Sequence, residues 1–128
     1  MRVTATAIML VAGFSSSVAA QSGATGDAAR GAQIYQASCG SCHSINANRV
    51  GPAHRGVVGR RAGTMTGYNY SAALRASRII WDARTIDRFL QDPQKMIPGT
   101  KMGFRLTDPS RRNDVIAYLR QQSRPVPK

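Results

Sequence analysis

Apolar residues in this chain cluster at helical spacing in a few short runs, separated by stretches rich in glycine, proline and small polar residues. The first run after the N-terminal region carries Ala28, Ala32, Ile34, Tyr35 and Ala37 on one face, and Asp27 stands where an N-cap belongs. The pattern predicts a helix running toward Cys39. Ser71 to Ser77 predicts a short helix. After Trp81, Asp82 is a second capping residue, and Ile86, Phe89 and Leu90 share a face until Pro93, which reads as the stop. Asp108-Pro109 places a cap before a proline at the first helical position. Val115, Ile116, Tyr118 and Leu119 then face inward, and the helix is expected to end near Ser123, ahead of Pro125 and Pro127. From Asn46 to Asn69, Gly51, Pro52, Gly56, Gly59, Gly63 and Gly67 predict a packed loop. No strand precedes these glycines and their spacing is wrong for a phosphate-binding fingerprint. Little reads as strand, and no repeat or second domain appears. The expected class is all-α, with several short helices and loops around a shared centre.

The N-terminus changes the picture of where such a domain works. Arg2 is followed by the largely apolar Val3 to Val11, then Gly13 and the small-residue stretch ending Val18-Ala19-Ala20. This reads as a signal peptide over residues 1–20, cleaved before Gln21, and so as export to the periplasm. The apolar run is too short for a stable spanning helix, which makes an uncleaved anchor the lesser alternative. Residues 21–26 are then a flexible tether, 27–123 the domain and 124–128 a tail. Removing 1–20 leaves 108 of 128 residues, enough for one small domain. Charge is lopsided, with 18 Lys and Arg against 6 acids and a net +12, or +11 without Arg2. For an exported chain this suits acidic proteins, with peripheral contact to anionic membrane, rather than nucleic acid.

The candidate chemistry lies in Cys39-Gly40-Ser41-Cys42-His43, which holds the only two cysteines. Thiols at this spacing can each add across one vinyl group of a haem, and the adjacent imidazole then reaches the iron. A redox dithiol would sit between strand and helix in a βαβ pattern, whereas helix is expected before Cys39. A zinc site needs two further ligands, and His43 and His54 are the only histidines. A dithiol or plain disulfide therefore stays as the minor alternative to haem. Met65, Met96, Met102 and His54 are the candidates for the sixth iron ligand. Met102 follows Ile97-Pro98-Gly99-Thr100-Lys101, a loop stiffened by proline and turned by glycine. A thioether there would favour ferrous iron and raise the reduction potential.

Several of these features stand in a familiar order: Gly26-Asp27, Gly31 and Tyr35, the Cys-x-x-Cys-His pentapeptide, Gly51-Pro52, Gly56 to Arg60, Tyr70, Trp81, Pro98 to Met102 with Phe104, and Ala117-Tyr118-Leu119. From Gly26 to about Gln122 the chain resembles the class I cytochromes c of the short soluble mitochondrial and bacterial type. The resemblance implies a cytochrome c-like fold around one haem c attached through Cys39 and Cys42, with His43 and Met102 as iron ligands. It also implies that the Pro52 carbonyl accepts from His43 and that Arg60, Tyr70 and Trp81 hold buried propionates. Leu90 and Phe104 would screen the haem, and Gly31 would let the first and last helices cross beside Tyr35 and Tyr118.

Departures from that pattern matter too. Phe89 stands where many relatives have a tyrosine bonded to the methionine sulfur, leaving Thr100 or water to replace that contact. His54 takes the place of a leucine against the haem, and it is expected to turn to the surface or bond a backbone carbonyl. Arg78 replaces a common glycine, and the segment from Phe104 to Asp108 is short. The expected function is single-electron carriage, not catalysis, with acidic redox enzymes docking a monomer at a basic haem edge. Arg30, Arg55, Lys95 and Lys101 are the candidates for that rim. The alternatives are a haem enzyme or gas sensor with a displaceable sixth ligand, or a dedicated cytochrome subunit of one dehydrogenase.

Overall fold

The computed structural model describes residues 25–125, so the expected leader and cleavage site, and part of the tether and tail, lie outside the described residues. Five helices follow in order: α1 (Ala28–Ser38), α2 (Ala72–Ala76), α3 (Ala83–Gln91), α4 (Pro93–Met96) and α5 (Pro109–Gln122). Each begins where a short polar side chain can accept from a free N–H of the first turn. Asp27 accepts from the Arg30 amide, Ser71 from Leu74, Asp92 from Lys95 and Asp108 from Arg111. At α3, Asp82 accepts from the Thr85 amide while the Thr85 hydroxyl accepts from the Asp82 amide, a reciprocal capping box.

Pro93 departs from expectation. The α3 helix ends at Gln91, and Asp92 then caps a new turn with Pro93 at its first position. A proline cannot continue a helix but is preorganised to start one, so the residue that reads as a stop also opens α4. The long loop holds a second difference. The Gly59 amide donates to the Trp81 carbonyl at 2.7 Å, the Trp81 amide to Arg60 at 2.9 Å and the Ala62 amide to Ile79 at 2.8 Å. An isolated antiparallel bridge joins Arg61 and Ile80, though no full strand forms among the described residues.

The α1 and α5 helices pack against each other, and α3 packs on α5 and α4. Gly31 makes the first crossing possible: a β-carbon there would lie 2.0 Å from the Asp114 carbonyl oxygen and 2.9 Å from Tyr118 Cβ. The resulting close approach sets Tyr35 and Tyr118 at 5.3 Å between ring centroids. Ion pairs tie the helices from their edges. Arg30 donates from Nε to Asp114 Oδ2 at 2.9 Å, and Arg112 from Nε to Asp87 Oδ1 at 2.6 Å. Tyr35, Val57, Trp81, Ile86, Leu90, Ile97, Leu106, Val115, Ile116 and Leu119 form a contiguous apolar core.

Candidate functional site

The core is not solid. A cavity of about 400 Å³ opens beside it, lined from α1, α2, α3, α5, the Val50–Arg60 region and the Thr100–Phe104 loop. Such a volume is ample for a sizeable organic group. The end of α1 brings the chemistry to it. Cys39 caps the helix, the Gly40 amide donates to the Tyr35 carbonyl at 2.9 Å, and the Cys42 and His43 amides both donate to the Cys39 carbonyl at 3.1 and 2.8 Å. This tight turn presents Cys39, Cys42 and His43 to one cavity. Burial pushes the Cys39 thiol up to about 11, the opposite of the thiolate-favouring environment a redox dithiol needs.

His43 is held through its Nδ1, which donates to the Pro52 carbonyl at 2.9 Å. That bond assigns the Nδ1–H tautomer and leaves Nε2 as the nitrogen able to bind a metal. Gly51 supports the ring, since a β-carbon there would lie 2.2 Å from His43 Cε1. Burial also lowers the His43 pKa and so favours the neutral imidazole that binds metals. Met102 lines the same cavity from its loop. The loop is braced by the Thr100 amide donating to Ile97 at 3.1 Å and by Gln94 Nε2 donating to the carbonyls of Thr100 and Met102 at 2.6 and 3.1 Å.

Polar groups in this largely apolar wall are short of partners. The Arg60 guanidinium donates from Nη1 to the Arg55 carbonyl and from Nη2 to the Ala53 carbonyl, both at 2.9 Å, but its Nε is buried without a partner among the described residues. The Thr100 hydroxyl is similarly buried and unpartnered. Tyr70 accepts from the Met65 amide at 3.3 Å and keeps its own O–H to donate; burial raises its pKa and preserves that proton. A half-buried guanidinium with a buried, unpartnered Nε and two available hydroxyls are costly unless an acceptor joins them, and an anionic group is the natural complement. Leu90, Trp81 and Phe104 complete the wall. A cavity with an apolar interior, two thiols, a fixed imidazole, a thioether and unpartnered donors fits haem and its carboxylates.

The cytochrome c family model matches residues 28–123. The chain belongs to the cytochrome c family. It is 40% identical over 103 residues to cytochrome c of Cochliobolus lunatus, a match covering 77% of this chain and 95% of that one. It is 43% identical over 97 residues to cytochrome c2 of Rhodopila globiformis, covering 73% and 92% of the two chains. The solved structure of cytochrome cH from Methylobacterium extorquens is similar with a TM-score of 0.72 and 44% identity, covering 75% of this chain and 99% of that one. This cytochrome c accordingly carries covalently bound haem c, with Cys39 and Cys42 as its two thiols, and it transfers electrons with redox partners rather than catalysing a reaction.

Eleven residues expected at the haem site line the cavity, namely Cys39, Cys42, His43, Pro52, Arg60, Tyr70, Trp81, Leu90, Thr100, Met102 and Phe104. Met65 and Met96 are not part of that lining. Phe104 is 43% exposed, so it stands at the mouth and not deep in the wall. His54 overturns its expectation: it neither turns to the surface nor bonds a carbonyl. It shares a 3.0 Å hydrogen bond with the Tyr35 hydroxyl and stacks on the His43 ring. Arg30 also differs, because Asp114 and Asp27 hold its charge at the start of α1. Of the four cations considered for the rim, Lys101 alone lines the cavity. Periodicity placed Tyr35 on the inward face of α1 but did not show its contact with His54, and the contact of Gly51 with the His43 ring was signalled only by the Gly51-Pro52 pair.

Proposed function

We propose that this cytochrome c is a periplasmic single-electron carrier between redox enzymes of a respiratory or dehydrogenase chain, with His43 and Met102 as the axial ligands of its haem. The observation that carries the reading is the shared cavity, in which one imidazole has only Nε2 free and one braced loop offers a thioether. Haem supplies the one-electron chemistry when bound. The protein's part is to hold it, exclude water and set the charge around it. A methionine ligand favours the ferrous state and closes the sixth position, which suits a carrier more than an oxygen-activating enzyme or gas sensor.

The periplasmic assignment rests on the export signature of residues 1–20. No helix among the described residues is long and apolar enough to cross a membrane. Lys101, together with the exposed Val50 and Phe104 at the mouth, is the surface where an acidic partner would approach a monomer. The excess of positive charge also suits peripheral contact with anionic membrane.

Absorption spectra of the matured protein, oxidised and reduced, with and without carbon monoxide, test the ligand set. Low-spin spectra, the weak red ferric band of thioether ligation and little carbon monoxide binding are expected. A high-spin haem or prompt binding of carbon monoxide would place the protein among haem enzymes or sensors.

A further inference from the structure

Only two histidines occur in the chain, and the fold stacks one upon the other. The rings of His43 and His54 lie 4.2 Å apart between centroids with their planes at 22°. The far end of this arrangement is anchored. His54 Nδ1 is 3.0 Å from the Tyr35 hydroxyl, and the two rings meet edge to face at 5.7 Å and 69°. Tyr35 is 4% exposed and braced against Tyr118 where α1 crosses α5. A continuous contact therefore runs from the main helix crossing, through the tyrosine hydroxyl and the second imidazole, to the proposed proximal ligand.

We propose that Tyr35 and His54 are a positioning pair for His43: Tyr35 fixes the His54 ring, and the stacked His54 ring fixes the plane of the His43 imidazole and tunes the reduction potential. This rests on the reading of His43 as an iron ligand. Two features recommend a positioning role over simple filling. A half-buried imidazole and a buried phenol each cost free energy unless paired, and here each is the other's partner. The stack also lies against the ligand and completes a set of restraints on it, alongside the Pro52 carbonyl at Nδ1 and Gly51 beside the ring.

The direction of the tuning follows from electrostatics. Oxidation adds positive charge at the iron and draws electron density from its ligand imidazole. The π face of a neutral ring stacked on that ligand stabilises the oxidised state, as a ring face stabilises a cation. A leucine cannot, so His54→Leu raises the potential. The expected change is about threefold in the ferric-to-ferrous ratio at fixed poise, close to 30 mV at 59 mV per tenfold for one electron.

The experiment compares the holoprotein with His54→Leu, Tyr35→Phe and the double variant, by redox titration and by proton NMR of the hyperfine-shifted haem methyls in the ferric state. Methyl shifts report the orientation of the ligand plane, which a merely structural filler would not alter. His54→Leu is expected to redistribute the methyl shifts and raise the potential. Tyr35→Phe moves both the same way by less, and the double variant matches His54→Leu because Tyr35 acts only through His54. His54→Phe, which retains a ring without the hydrogen-bonding nitrogen, restores part of the parental shift pattern. Unchanged methyl shifts and potential in His54→Leu would overturn the pair, as would simple additivity of the two substitutions. Absence of iron-bound imidazole resonances in the parent would overturn the ligand reading and the pair together, which separates the two failures.

Discussion

At the scale of single residues, the site depends on what is absent as much as on what is present. Gly51 has no β-carbon, and the space that such an atom would occupy is taken by the His43 ring at 2.2 Å. Gly51→Ala therefore forces either the ring or the backbone to move, at a cost of about 1–3 kcal/mol for overpacking of this kind. Denaturant unfolding of the holoprotein is expected to show that loss, accompanied by a changed visible spectrum because the ring that yields is the proposed ligand. Loss of stability with an unaltered spectrum would show that the backbone yields instead. The motif residues were legible in sequence because their spacing carries the chemistry directly: two thiols and an imidazole within five residues admit few other uses. His54 was not. Its partners are a ring 11 residues away and a hydroxyl 19 residues away, brought together only once the loop after His43 folds back on α1. Tyr35 was hidden for a related reason, since helical periodicity shows that it faces inward but not what its hydroxyl meets.

At the scale of elements, the α1–α5 crossing is secured by Gly31 inside and by Asp114 at the edge. Asp114 is buried on α5 and accepts from Arg30 Nε at 2.9 Å, from Arg30 Nη2 at 3.1 Å and from the Asp27 amide at 2.7 Å. The hydrogen bonds from Arg30, then the one from the Asp27 amide, hold its carboxyl below the usual carboxylate range. A lowered native pKa stabilises the fold above the unfolded value of about 3.9, and that contribution disappears as pH falls through the native value. Asp114→Asn is thus expected to unfold more readily than the parent at neutral pH. The difference should narrow below about pH 4, as followed by denaturant midpoints across pH. A constant gap down to strong acid would mean that the carboxylate charge is not what holds the crossing. Helix starts were readable because an N-cap is a local signal, and Asp27, Asp82 and Asp108 each precede an apolar run. The pairing of Gly59–Ala62 with Ile79–Trp81 was not, because it joins distant segments through only a few backbone bonds and leaves no period-two pattern.

At the scale of the whole molecule, the charge imbalance follows from how the acids are used. All six are aspartates. Four of them, Asp27, Asp82, Asp92 and Asp108, cap helices, while Asp87 and Asp114 hold Arg112 and Arg30. Every carboxylate side chain thus serves the fold's own helix ends or crossings, and the 18 cations greatly outnumber them. A field of this kind acts on encounter more than on tightness of binding, and it weakens as salt shortens its reach to about 10 Å at 0.1 M. Electron transfer to an acidic redox partner is therefore expected to slow by about tenfold between low and high ionic strength, within the usual range for steered association. Position adds a second test. Lys101 lines the cavity proposed to hold the haem, whereas Arg124 lines a separate groove with α3 and α5 residues. Stopped-flow rates at low salt should fall further for Lys101→Ala than for Arg124→Ala, because a partner must approach the haem edge for the electron to pass. Equal losses would mean that net charge alone governs the encounter, and rates indifferent to salt would remove electrostatic docking altogether.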